Sequence, residues 1–158
     1  MKKINFLIRL KEEGKLSLIG SSDEIKESYV RKSASSLKSA KILLENEQIE
    51  DAVPMAYYSM YNMLTALFYK AGIKCENHSA SIIILKELFS IDNSSISSAK
   101  TERVDKQYYV DFQITMEEVE HLLKSAEDFN SMLYDFIDKL TTKRALEYKK
   151  EFEDSLVN

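Results

Sequence analysis

The chain has 158 residues, room for one domain built around one buried core. At 44% hydrophobic and 30% charged, it has a globular composition rather than a disordered one. A formal net charge of −4 and an isoelectric point near 5.3 exclude a general, charge-driven nucleic-acid binder but leave room for a local basic site.

Three Gly and one Pro allow few chain reversals, which favours long helices over many short strands. Cys75 is the only cysteine, so no internal disulfide can form and a reducing compartment is expected. The opening MKKINFLIRLKEEG imitates a signal peptide until Arg9 cuts its apolar run; Lys11, Glu12 and Glu13 follow, and no small-residue cleavage site is visible. Other apolar stretches are too short and interrupted to span a bilayer. The expectation is a cytoplasmic protein with no membrane segment, organised as one domain over 1–158 with its core at about 23–140.

After a short segment around Ile4 to Leu10, Gly14 and Gly20 punctuate a connector. Ser21-Ser22-Asp23-Glu24 reads as a capping box, with Ser21 at the cap and Glu24 three residues on. The helix it opens, roughly 23–45, carries Ile25, Tyr29, Leu37, Ala40 and Leu44 on one stripe. Its small residues Ser33 to Ser36 would let another helix approach closely.

A second helix runs from about Ile49 to a stop at Gly72, with Pro54 placed in its first turn. Val53, Ala56, Tyr57, Met60, Leu64, Leu67 and Phe68 make an apolar face. Met55, Tyr58, Met63 and Tyr69 leave almost no polar face, so this helix is either central or shared with a second subunit. A shorter helix starts at Asn77 or His78 and ends near Phe89. The run 90–110 is Ser-rich and polar. Thr115 and Glu118 form another capping box, opening a long helix with Val119, Leu122, Leu123, Ala126, Phe129, Leu133, Phe136, Ile137 and Leu140 at helical spacing. A charged C-terminal helix, 142–158, keeps a weak stripe of Ala145, Leu146, Phe152 and Leu156. With no alternating strand pattern, the fold expected is all-α, an antiparallel bundle without a sheet.

Familiar catalytic designs are not indicated. Cys75 and His78 have half of a zinc-like spacing, but four ligands are needed and His121 is the only other imidazole. Glu118 and His121 match one carboxylate–histidine pair of a di-iron bundle, which needs a second. No metal and no cofactor are implied. No glycine-flanked serine nucleophile and no phosphate-cradling glycine loop appear either.

What remains is RVDKQYYVD, residues 103–111. Arg103 suits bidentate phosphate recognition, while Tyr108 and Tyr109 offer stacking faces and hydroxyls, with Asp111 nearby. Lys100, Arg103 and Lys106 lie three apart. The competing reading is a surface Arg–Asp pair with two tyrosines tucked against the bundle.

AYYSMYNMLTALFYKAG, then HSASIIILKELF, resembles the central helices of HEPN domains (higher eukaryotes and prokaryotes nucleotide-binding). RVDKQYYVD with the following MEEVEHLLKSAEDF resembles the next block of that family, an Arg-led stretch entering the last core helix. The resemblance covers roughly residues 25–140. It implies a bundle of four or five helices, usually a homodimer and often encoded beside a minimal nucleotidyltransferase in prokaryotic toxin–antitoxin pairs. Active members are metal-independent ribonucleases using an Arg, four to six residues, then a His. Arg103 matches that Arg, but positions 108–110 hold Tyr108, Tyr109 and Val110. Tyr109 lies one residue away from where such toxins can carry a Tyr that accepts nucleotidyl groups.

A tyrosine, with an ordinary pKa of about 10, is a poor general base at neutral pH. The resemblance therefore implies a nucleotide- or RNA-binding subunit partnered with a nucleotidyltransferase, with Arg103, Tyr108, Tyr109 and Asp111 at its cleft. The alternatives are an active ribonuclease toxin using Tyr108 or a His78 brought in by folding, and a purely structural helical dimer.

Overall fold

The computed structural model describes residues 2–108, 110–111 and 113–157. In chain order these form α1 (Lys2–Glu12), β1 (Leu16–Leu18), α2 (Asp23–Glu45), α3 (Ile49–Ala71), β2 (Ile73–Cys75), α4 (His78–Glu87), α5 (Ser94–Tyr108), α6 (Met116–Lys139) and α7 (Thr142–Ser155). The all-α expectation holds, with two differences. Seven helices are present among the described residues where four or five were expected. The other difference is that β1 and β2 pair antiparallel, with Leu16 opposite Cys75 and Leu18 opposite Ile73. Strands of three residues are too short to show an alternating pattern in a sequence.

Local chemistry explains the helix ends. Ser22, not Ser21, caps α2, its hydroxyl accepting from the Ile25 amide at 3.2 Å. Thr115 caps α6 as its spacing predicts, accepting from the Glu118 amide at 3.1 Å. Gly72 ends α3 in the left-handed region at φ 79°, and a Cβ there would lie 2.7 Å from the Ile19 carbonyl oxygen. Pro54 lies in the second turn of α3 rather than the first. It has no N–H to close on Glu50, which is exposed and open to water.

Helix α3 is central within the single chain, touching α2, α4, α5, α6, α7 and β2. Its whole predicted apolar face is buried, and so is Met63. Of the remaining apolar residues, Met55, Tyr58 and Tyr69 stay half-buried. Against α2, the small-residue seam brings Ser33 to α3, where its buried hydroxyl donates to the Ser59 carbonyl at 2.7 Å. Against α6, Asn130 Nδ2 donates to Ser59 Oγ at 3.1 Å. Helix α6 buries Val119, Leu122, Leu123, Ala126, Phe129, Leu133 and Ile137 along one side. Among the described residues, no helix is long and apolar enough to cross a membrane.

Candidate functional site

The polar run expected to link two helices is itself the helix α5. Asp92 starts it, its carboxylate accepting from the backbone amide and hydroxyl of Ser94 at 3.2 and 2.7 Å. Only Ile96 and Ala99 are buried along it, so its apolar stripe is too thin to read from periodicity. Residues three apart stay on one side of a helix, and Lys100, Arg103 and Lys106 make a basic stripe along α5. Lys100 Nζ donates to Ser79 Oγ at 2.9 Å, at the start of α4. Lys106 Nζ donates to Asp51 in the first turn of α3 at 3.0 Å.

Between them, the Arg103 guanidinium lies 5.7 Å from the ring centre of Tyr57 and 5.4 Å from that of Tyr58. Among the described residues, no carboxylate pairs with Arg103. Its charge is thus held in place by aromatic faces, with its hydrogen-bond donors uncommitted to an acid.

Tyr57 reaches a second group. Its hydroxyl lies 2.7 Å from Nδ1 of His78, whose ring stacks on Tyr61 with centres 3.8 Å apart. His78 opens α4 after Asn77, which caps the helix by accepting from the Ala80 amide at 2.9 Å. Burial, then the charges of Arg103 and Lys100, hold His78 below its ordinary pKa of 6.5, so the imidazole is neutral at pH 7. Burial also raises both tyrosines, Tyr61 to about 12 and Tyr57 further, so both hydroxyls keep their protons. Beside this cluster, a cavity of about 310 Å³ is lined by Tyr29, Tyr61, Thr65, Tyr69, Cys75 and His78 among others.

Of the residues singled out from the sequence, Arg103, Tyr108 and Asp111 fall on different parts of α5 and the turn after it. Tyr108 ends α5 and is 70% exposed. Five positions from Arg103, it points about 140° around the helix from it. Asp111 is exposed beyond the helix, and Tyr109 lies outside the described residues. Arg103 instead meets Tyr57, Tyr58 and the surroundings of His78. The three-residue spacing of the basic stripe was visible in the sequence; its landing on α3 and the start of α4 was not, because that contact is tertiary. Cys75 turns its thiol to the Asn77 carbonyl at 3.4 Å, and His78 turns Nδ1 to Tyr57, so the two do not face a common point. Among the described residues, no three His, Cys, Asp or Glu side chains gather as metal ligands.

Known proteins give this geometry a setting. The HEPN domain model matches residues 26–136. A candidate toxin of Methanocaldococcus jannaschii, MJ0605, is 30% identical over 100 residues, covering 59% of this chain and 74% of its own length. The UPF0332 protein PH1297 of Pyrococcus horikoshii is 33% identical over 82 residues, 52% of this chain and 54% of its own. A UPF0332 protein of Thermotoga maritima is 28% identical over 134 residues, 78% of this chain and 97% of its own. With the match running from the first turn of α2 to the last turn of α6, the chain belongs to the HEPN domain family.

Proposed function

We propose that this protein is a nucleotide- or RNA-binding HEPN subunit that works as a homodimer beside a minimal nucleotidyltransferase in a toxin–antitoxin-like pair. The observation that carries the binding reading is Arg103, half-buried over Tyr57 and Tyr58, free of any carboxylate among the described residues, with Lys100 one turn away. A guanidinium oriented by rings keeps a planar fork of donors ready for phosphate oxygens, and Lys100 adds a second cation on the same side. The acidic chain as a whole repels polyanions, so binding would concentrate at this stripe. The likeness to a candidate toxin supports the toxin-like setting. Dimer and partner follow the family.

Arg103→Ala removes a charge-assisted bond to phosphate, about 1.5–3 kcal/mol, or roughly 10- to 150-fold in affinity. Fluorescence anisotropy with labelled single-stranded RNA and with mononucleotides reads this directly. Absence of binding by the wild type, or an Arg103→Ala change confined to the melting temperature, overturns the reading. Light scattering at micromolar concentration tests the homodimer, and a mass of 18.3 kDa there excludes it under those conditions.

A further inference from the structure

We propose that the second half of α5, residues 101–108, is a proton-controlled arm: with Glu102 neutral it lies closed on α6, and with Glu102 ionised it lifts.

The two halves of α5 are held by different forces. In the first half Ile96 and Ala99 are buried, and Asp92 ties down the start of the helix. Beyond Ala99 no residue of α5 is buried; Val104 is half-covered, and Thr101, Gln107 and Tyr108 are exposed. Polar side chains keep this half in place: Lys106 donates to Asp51 at 3.0 Å, and Arg103 rests over Tyr57 and Tyr58. Asp51 is exposed, so its ion pair contributes little. A helical segment with so little apolar burial opens at far lower cost than the core helix α3.

Glu102 belongs to this half and meets α6, where Glu118 and His121 act on it. Its Oε2 is shut off from water and has no hydrogen-bond partner among the described residues. Asp105, on α5 itself, adds another carboxylate to the neighbourhood. His121 is the one group of the three that favours the charge. On the α3 side, Asp51 is turned to Lys106 and the tyrosines to Arg103. A buried carboxylate oxygen with no donor, near two other carboxylates, makes the ionised form the costly one. Protonation removes the repulsion and turns Oε2 into a donor, with Glu118 nearby to accept.

Linkage gives the direction. In the closed arm, burial first, then Glu118 and Asp105, hold Glu102 above its ordinary 4.5; lifted into water, it returns there. Closure is therefore strongest below 4.5 and is lost as pH rises through the raised value. Arg103 and Lys106 ride on the arm, so lifting carries the guanidinium off Tyr57 and Tyr58.

Amide hydrogen exchange on the full chain tests this, read by mass spectrometry and corrected for the intrinsic pH dependence of exchange. In the wild type, protection of residues 102–108 relative to α3 should rise several-fold from pH 7 to pH 4.5. Glu102→Gln is neutral at every pH and of the same size, and should keep the arm protected at both. His121→Gln should retain the response, since it removes a group that favours the charge rather than one that opposes it. Wild-type protection that does not change with pH, or a Glu102→Gln variant that still responds, overturns the proposal. So does loss of the response in His121→Gln, which assigns the switch to the imidazole.

Discussion

Ser59 offers the sharpest quantitative test of how α3 is held. Its hydroxyl donates to the Ala56 carbonyl at 2.7 Å, so only its lone pairs face Asn130, whose Nδ2 donates to it at 3.1 Å. Asn130 is 7% exposed, and its Oδ1 has no partner. Ser59→Ala therefore removes the acceptor and strands a buried amide, at a cost of about 1–3 kcal/mol. For a chain of this size each kcal/mol lowers the melting temperature by roughly 2–4 °C. Asn130→Leu acts differently: it removes both the amide and the orphaned oxygen while roughly keeping the shape, and Ser59 still donates to Ala56. That variant should match or exceed wild-type stability, because replacing imperfectly paired polar groups with apolar ones of similar shape is nearly neutral or better. In the double variant, Ser59→Ala should cost only a few tenths of a kcal/mol. Denaturant unfolding of all four proteins gives the coupling energy, expected at about 1–2 kcal/mol. If Ser59→Ala costs the same with Asn130 and with Leu at position 130, the bond between α3 and α6 contributes nothing and the reasoning is wrong.

Gly72→Ala should destabilise by about 2 kcal/mol or more, combining the left-handed φ with a Cβ set 2.7 Å from the Ile19 carbonyl oxygen; calorimetry reads it. His78 has a native pKa below 6.5, so the stability it leaves intact above pH 6.5 is lost as pH falls through its native pKa, because the unfolded chain takes up the proton first. His78→Gln should flatten that loss in melting curves between pH 7 and 5. Glu102 runs oppositely: burial first, then Glu118 and Asp105, raise its pKa above 4.5, so its contribution is complete below 4.5 and lost as pH rises through its native pKa. Glu102→Gln should therefore stabilise at pH 7 and change little at pH 4.

Helix α3 and helix α6 were legible because their apolar residues repeat at the helical period and their ends carry recognisable punctuation, Gly72 and Thr115. Helix α5 was not, since two buried residues in fifteen leave no stripe, and its order comes from Asp92 at its start and from basic side chains landing on neighbours. Arg103 stood out through its chemistry alone. Tyr108 stood out beside it by adjacency in the chain, which a helix turns into separation in space. Tyr57 looked like one more apolar-face residue, and nothing local marks its hydroxyl as the partner of an imidazole 21 residues later. His78 stood out only as a helix start and as half of a zinc-like pair, because its partner on α3 is tertiary.

The short β1–β2 pair ties the first residues of the chain to the start of α4. Besides the strand pairing, Ile19 donates its amide to the Gly72 carbonyl and Glu76 donates to the Lys15 carbonyl, both at 2.9 Å. The next residues are Asn77 and His78. The imidazole is thus moored at its upstream end to a segment that precedes the family-matched region, which starts at residue 26. A change in that upstream segment would therefore reach the histidine without replacing any residue around it.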